Sequence, residues 1–318
     1  RDAHRYSAFF FFFYIYHFTS RSQFDTEHWS SDCLLKHVHE AGHIPNIFYI
    51  NTGYEYWGRA ASLIHTNVRG TADVKPFDYE RIYHIGSAQH FVDRFPPSPD
   101  SRMGEQDVYR GNPMEFKVNY RALLVTLVEW VKDGTPPPES RYPTIEDGSL
   151  VPFTQYAFPD IPGVSEPGTV HVAYRVDYGP RWDQGIIDMQ PPRLGAEYPA
   201  MVSEVDILGN EVAGIQNTEV QVPLATYTPW ATRRGYPGGA HELVDFRGTY
   251  IPLPLTETEK KEEGDPRPSI ETLYEGKQDY LDQVRVAAEV LVKQGFLLRE
   301  DVSYVVERSG KYWEWIHE

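Results

Sequence analysis

Two stretches decide the reading of this chain: Asn51-Thr-Gly-Tyr-Glu-Tyr-Trp-Gly-Arg59 and Arg81-Ile-Tyr-His-Ile-Gly-Ser-Ala-Gln-His-Phe91. Each reads as the end of a buried strand running into a loop that carries one ionisable residue, Glu55 in the first and His90 in the second. An imidazole titrates near neutrality and can take and return a proton. A carboxylate fixes its tautomer and steadies the imidazolium. Acid then histidine, at the ends of successive strands, are two of the three members of a nucleophilic triad. The third, a serine in G-x-S-x-G, does not occur in these 318 residues.

The flanking text supports an alternating architecture. Ile47-Phe-Tyr-Ile50 is a continuous apolar run, expected to be a strand buried on both faces of a parallel sheet. Residues 32–42 before it predict a short helix stopped by Gly42, with Pro45 beyond. Tyr56 to His65 predicts a helix with Trp57, Ala60, Ala61 and Ile64 on one face. A strand follows at Arg81 to Ile85, broken by Gly86, and Pro96-Pro-Ser-Pro99 makes a rigid loop. Asn112-Pro-Met-Glu115 offers an N-cap, a first-turn proline and a Glu at the third position. The helix it predicts runs to about Asp133. Its narrow polar stripe (Arg121, Thr126, Glu129, Lys132) predicts burial on most sides, and Gly134 stops it. Helix, strand, helix, strand and long helix in that order predict an α/β fold.

The character changes past the stiff Pro136-Pro-Pro138. Residues 1–140 are expected to form the α/β core. Residues 141–318 are expected to be a loop-rich, partly β extension ending in helices and packed on that core. Thr169 to Val176 reads as extended, Val202 to Ile215 as a hairpin turning at Gly209-Asn210, and Glu257 to Asp265 as an exposed charged run. Ser269 then caps a helical region in which Leu281, Val284, Ala288 and Leu291 recur up to Gly295.

Composition narrows the function. Hydrophobic residues at 41% and charged residues at 24% fit a globular protein rather than a disordered one. A formal net charge of −16 argues against nucleic acid or an anionic membrane as partner, because both need a basic footprint. Arg233-Arg234 is too small a basic patch to change that. Cys33 alone excludes an internal disulfide framework and a multi-cysteine metal site. The apolar run Ala8 to Tyr16 falls short of the roughly 20 residues a membrane span takes. With Arg1 in place of Met, it suggests a chain that begins inside a domain. Pro237-Gly-Gly239 has no lysine for a phosphate loop and reads as a turn. Tyr54, Tyr56 and Trp57 are candidates for an acyl pocket, with the core as the commoner fate of such aromatics.

His39-Glu-Ala-Gly-His43 has the H-E-x-x-H form of zinc proteases, with His39, Glu40 and His43 in the expected order. Gly42 and Pro45 argue against it, since both histidines must lie on one helix that continues past the second. A zinc hydrolase and a non-catalytic binding module stand as alternatives to the triad reading.

Several further motifs carry a resemblance. Asn51 to His65, Ser87-Ala-Gln-His-Phe91, Tyr120-Arg-Ala-Leu-Leu124 and Asp133-Gly-Thr-Pro-Pro137 resemble the text of a largely uncharacterised, mostly bacterial family of α/β-hydrolase domain-containing proteins. The similarity continues through Ser140-Arg-Tyr-Pro143, Asp177-Tyr-Gly-Pro-Arg181 and Gly264-Asp-Pro-Arg267, and Arg1 to Phe9 resembles the stretch after that family's nucleophile. The resemblance implies an α/β-hydrolase fold, here the C-terminal part of a mostly parallel sheet, with triad order serine, acid, histidine. It maps His90 to the catalytic histidine and Glu55 to the acid, with Asp93 as the alternative acid. The serine and oxyanion hole are expected upstream of Arg1, so this chain alone is expected to be inactive. The implied reaction is hydrolysis of a small-molecule carboxylic ester through a serine acyl-enzyme, with no cofactor and no metal.

Overall fold

A computed structural model describes residues 18–27, 29–97, 109–233 and 241–318. The strands are β1 (Gln23–Asp25), β2 (Ser30–Asp32), β3 (Ile47–Thr52), β4 (Glu80–Ile85), β5 (Arg110–Gly111), β6 (Leu150–Pro152), β7 (Tyr174–Asp177), β8 (Arg193–Glu197), β9 (Met201–Ser203), β10 (Ala225–Thr228) and β11 (Thr249–Pro252). The helices are α1 (Lys36–Glu40), α2 (Gly53–Gly58), α3 (Lys117–Asp133), α4 (Thr218–Gln221), α5 (Glu257–Glu263), α6 (Ile270–Leu273), α7 (Lys277–Gln294) and α8 (Val302–Ile316).

Strands β3 and β4 pair in parallel from Ile47↔Glu80 to Thr52↔Ile85. Both are β-branched and aromatic, which suits a pleated surface, and α2 begins directly where β3 ends. The far edge of β4 is covered by parallel bridges to Arg141 and Ile215. The other pairings are antiparallel: β10–β11–β5, β6–β9, β7–β8 and β1–β2. No closed barrel forms among the described residues. The largest core cluster joins Tyr83 of β4 and Leu123 of α3 to Ile215, Val284 and Leu291 of α7, and Val302 and Tyr312 of the α8 region. It therefore draws on residues from both sides of position 140.

Several local expectations change. Residues 56–65 do not form one helix. α2 already begins at Gly53, and Ala60 then turns left-handed (φ 51°) before a 3-10 turn at Ala61–Ile64. α3 starts after Phe116 rather than at Asn112: Asn112 Oδ1 accepts the Met114 amide at 3.1 Å in a local turn ahead of the helix, while its side-chain NH2 donates to the Ser87 and Thr228 carbonyls at 2.7 and 3.0 Å. Its end at Gly134 (φ 70°) is as expected. Only the first turns of α3 are buried, at Val118, Asn119, Ala122 and Leu123. Leu124, Val128 and Val131 are exposed, since no described residue covers the second half of that face. β3 is half-buried over Ile47–Ile50 rather than enclosed on both faces.

The charged run is a helix, α5, ended by Gly264. Thr256 Oγ1 accepts the Glu259 amide at 3.1 Å, and the Glu259 carboxylate accepts the Leu255 amide at 2.8 Å, a capping pair that outweighs charge repulsion. Asp265 is not exposed but buried against Arg267. The 202–215 segment does fold back on itself, turning over Asp206–Asn210 with Gly209 at φ 78° and a bridge from Val205 to Glu211. α7 stops at Gly295 as expected. The Ala8 to Tyr16 run, the end of the 96–99 proline loop, Arg234 and Pro237-Gly-Gly239 lie outside the described residues.

Candidate active site

The parallel register brings the carboxyl ends of β3 and β4 side by side, the edge where open α/β sheets build their sites. At the end of β3, Thr52 becomes the N-cap of α2 and Glu55 its third helical residue. One carboxylate oxygen of Glu55, Oε2, accepts the Thr52 amide at 2.7 Å and the Thr52 hydroxyl at 2.5 Å. These bonds are local, and they lock the Glu55 rotamer. The other oxygen, Oε1, is left to face His90, and His90 Nδ1 bonds to it. Thus one carboxylate both caps a helix and holds an imidazole.

A carboxylate on Nδ1 makes Nδ1–H the donor and leaves Nε2 as the basic nitrogen. Glu55 is nearly buried, whereas about a third of the His90 side chain is exposed. The ring has its acid on the inner side and an opening on the other. Around it stand Phe91, Phe246 and Tyr54, with ring centroids at 4.2, 4.7 and 6.0 Å. Phe91 is exposed.

The loop carrying His90 is tied at every residue that leads to it. Ser87 takes a left-handed conformation, φ 62°, which turns the chain sharply at the strand end. The Glu211 carboxylate accepts the Ser87 amide at 2.6 Å, and Ser87 Oγ accepts the Glu211 amide at 2.7 Å. The same carboxylate oxygen sits 3.0 Å from His84 Nε2, in a pair that is almost wholly buried. Ala88 O accepts the Tyr54 amide at 3.2 Å, a backbone link from this loop to α2. Gln89 Oε1 accepts the Gly248 amide at 2.7 Å. Gly53 has to be glycine here, because a Cβ would lie 2.5 Å from Pro229 Cβ and 2.6 Å from Glu211 Oε2.

A second buried layer lies beneath. Tyr56 OH and His65 Nε2 are 2.8 Å apart, and the Tyr56 ring meets His84 edge-on at 4.8 Å. Burial pushes the His65 imidazole down to about 3, and neighbouring His84 adds to this. His65 is thereby kept neutral and structural.

The structure thus brings Glu55 and His90 together and takes Asp93 elsewhere. Asp93 forms a nearly buried ion pair with Arg247. Tyr56 and Trp57 are core residues with no exposure. The H-E-x-x-H segment lacks the zinc geometry: α1 ends at Glu40, Gly42 sits at φ 72°, and His43 lies beyond the helix. His39 meets Tyr79 OH at 2.5 Å, and His37 pairs with Glu40. Among the described residues no group of three or more His, Cys, Asp or Glu is placed to hold a metal. No helix among them is long and apolar enough to cross a membrane.

The sequence reading missed His84, Glu211, Asp245, Phe246 and Arg247. Nothing local marks the last four, because their partners are far away in the chain. His84 alone carried a signal, an imidazole inside an otherwise apolar strand.

Helices interleaved with a parallel strand pair, and an acid–imidazole pair at its carboxyl edge, make this an α/β arrangement. The chain belongs to the α/β hydrolase domain family, whose model matches residues 53–307. No curated protein and no solved structure matches it.

Proposed function

We propose that Glu55 and His90 are the acid and the general base of a serine hydrolase that cleaves small-molecule carboxylic esters through an acyl-enzyme. The observation that carries this reading is the Glu55–His90 hydrogen bond between neighbouring strand ends, through Nδ1 of a ring that is about a third exposed. Nε2 would take the proton of the serine hydroxyl as it attacks the ester carbonyl. It would hand that proton to the departing alkoxide, and the cycle would repeat with water to release the acid. Glu55 would hold the tautomer and stabilise the imidazolium without itself being protonated.

Chain order supports the same assignment. Acid followed by histidine on successive strands is the order of the α/β-hydrolase triad, and the family match is consistent with it. In that order the serine and the oxyanion hole precede both residues. No G-x-S-x-G occurs in the chain, so the nucleophile is placed upstream of Arg1, and β3–β4 is read as the last part of a larger parallel sheet. The rings of Phe91 and Phe246 beside His90 favour esters with an apolar alcohol group. His90→Ala in the parent protein carrying the upstream serine is expected to abolish turnover of p-nitrophenyl acetate. The chain described above, taken alone, is expected to resist labelling by a fluorophosphonate. Near-normal esterase activity in the alanine variant would sink the reading.

A further inference from the structure

We propose that the four-residue turn Asp245–Gly248 is a clasp that positions the dyad, fixing α2 and the His90 loop at the distance their hydrogen bond needs. The proposal rests on the dyad reading and adds to it a positioning element drawn from a remote part of the chain.

Four consecutive residues each reach one of the two segments that bear the dyad. Asp245 Oδ1 accepts the Tyr54 hydroxyl at 2.8 Å and lies 3.5 Å from the Arg59 guanidinium, so it grips the acid's segment on both sides of Glu55. The Phe246 ring lies 4.7 Å from His90, 5.5 Å from Tyr54 and 5.7 Å from Phe91. Arg59 stacks on Phe246 at 4.7 Å. Arg247 pairs with Asp93, three residues past His90. The Gly248 amide donates to Gln89, the residue before His90, at 2.7 Å. Acid side, ring, far side and near side of the histidine are held in turn.

Conformation points the same way. Phe246 sits at φ 65°, a left-handed backbone that a bulky residue rarely adopts. Glycine or asparagine would occupy that position more easily, yet the position carries a ring that touches the imidazole. An unfavourable backbone that persists beside a reactive group is the kind of outlier from which function is fairly inferred. The clasp is also anchored. Gly248 O accepts the Asn112 amide at 3.2 Å, and the next residue, Thr249, opens β11, which pairs with both β10 and β5. Its own fixed point is therefore the three-stranded sheet and not the loops it orders.

The consequence is chemical. A partly exposed imidazole on a loop can rotate about its ring axis and exchange Nδ1 for carbon in front of Glu55. Phe246 and Tyr54, whose rings lie 5.5 Å from each other, pack together against the imidazole and restrict that rotation.

The test reads the hydrogen bond and does not need turnover. A strong Nδ1–H bond to a carboxylate gives a far-downfield proton resonance, assigned by its loss in His90→Ala. The resonance is expected in the wild-type chain and in Phe246→Tyr. In Phe246→Gly, which accepts the left-handed backbone but lacks the ring, it is expected to broaden through fast exchange while circular dichroism stays native. Asp245→Ala, at a half-exposed carboxylate, severs the acid side without opening a void and should speed exchange as well. In the parent enzyme Phe246→Gly is expected to lower kcat by roughly 10–100-fold with KM little changed, as a small misplacement of a catalytic group does. A folded Phe246→Gly chain with the wild-type resonance and exchange rate overturns the clasp alone. A resonance missing from the wild-type chain overturns the dyad reading, and the clasp with it.

Discussion

Removing the Glu211 side chain should destabilise the protein far more than removing any exposed charge. Glu211 and His84 expose about 1% and 0% of their side chains, and their nitrogen and oxygen lie 3.0 Å apart. The same carboxylate oxygen also accepts the Ser87 amide at 2.6 Å. In Glu211→Ala the imidazole and the amide both lose their acceptor at buried positions. Each buried donor left without its acceptor costs about 1–3 kcal/mol, and here both are left so. Together about 4 kcal/mol is the expected loss, on the order of a thousandfold in the folding equilibrium. Urea unfolding followed by far-UV circular dichroism reads it as a lower midpoint at constant m. Lys311→Ala, which breaks the solvent-exposed pair with Glu307, should leave the midpoint where it was. A Glu211→Ala loss of under about 1 kcal/mol would refute the reasoning, because the pair would then be solvated in solution.

Three further outcomes follow from the same physics. Burial lowers the His65 pKa from its ordinary 6.5 to about 3, so between those values the unfolded chain binds a proton that the folded chain refuses. Stability is then full above pH 6.5 and falls towards pH 3 by up to about 1.4 kcal/mol per pH unit from this group, and His65→Gln should flatten the measured urea-stability slope between pH 6 and 4. Gly53→Ala places a Cβ 2.5 Å from Pro229 Cβ and 2.6 Å from Glu211 Oε2, and should cost about 1–3 kcal/mol by the same urea assay. Arg267→Lys should lose about 3 kcal/mol in chemical denaturation, since the buried guanidinium holds Asp265, Thr226 Oγ1 and the Ile251 and Pro252 carbonyls together; a wild-type midpoint would show that a single ammonium suffices.

The features readable from the chain were those whose physics is local. β4 was legible because an apolar run ends at Gly86, and the ends of α3 and α7 because Gly134 and Gly295 take the left-handed turn that stops a helix. Glu55 and His90 were legible for a related reason. Each sits just past a strand, and the parallel pairing that joins them follows from the alternating pattern. Where a side chain serves a distant segment, local rules misled. Asn112 has the identity of an N-cap and its Oδ1 does accept the Met114 amide, but that turn stops short of α3 and the side-chain NH2 bridges carbonyls 25 and 116 residues away. The charged stretch after Thr256 is exposed as read, but its helix rests on the Thr256–Glu259 capping pair, two residues in a run of mixed charge.

Burial was the least legible property. The apolar text of α3 reads as an enclosed helix, yet only its first turns meet the α7–α8 layer. The supports of the site were hidden altogether. Glu211 meets Ser87 across 124 residues, Asp245 meets Tyr54 across 191, and Arg247 meets Asp93 across 154. No periodicity or spacing announces such pairs, because they are fixed only when the sheets close.

The central claim is that Glu55 orients His90 for proton transfer, and its most direct test is Glu55→Gln in a protein that carries the proposed serine together with this chain. The amide keeps the volume and can still accept from Thr52, but it cannot stabilise an imidazolium. The account predicts a native circular dichroism spectrum with kcat for ester hydrolysis lowered by about 10³–10⁴-fold, the scale of the equivalent loss in other triads. A folded Glu55→Gln enzyme within tenfold of wild type would contradict it.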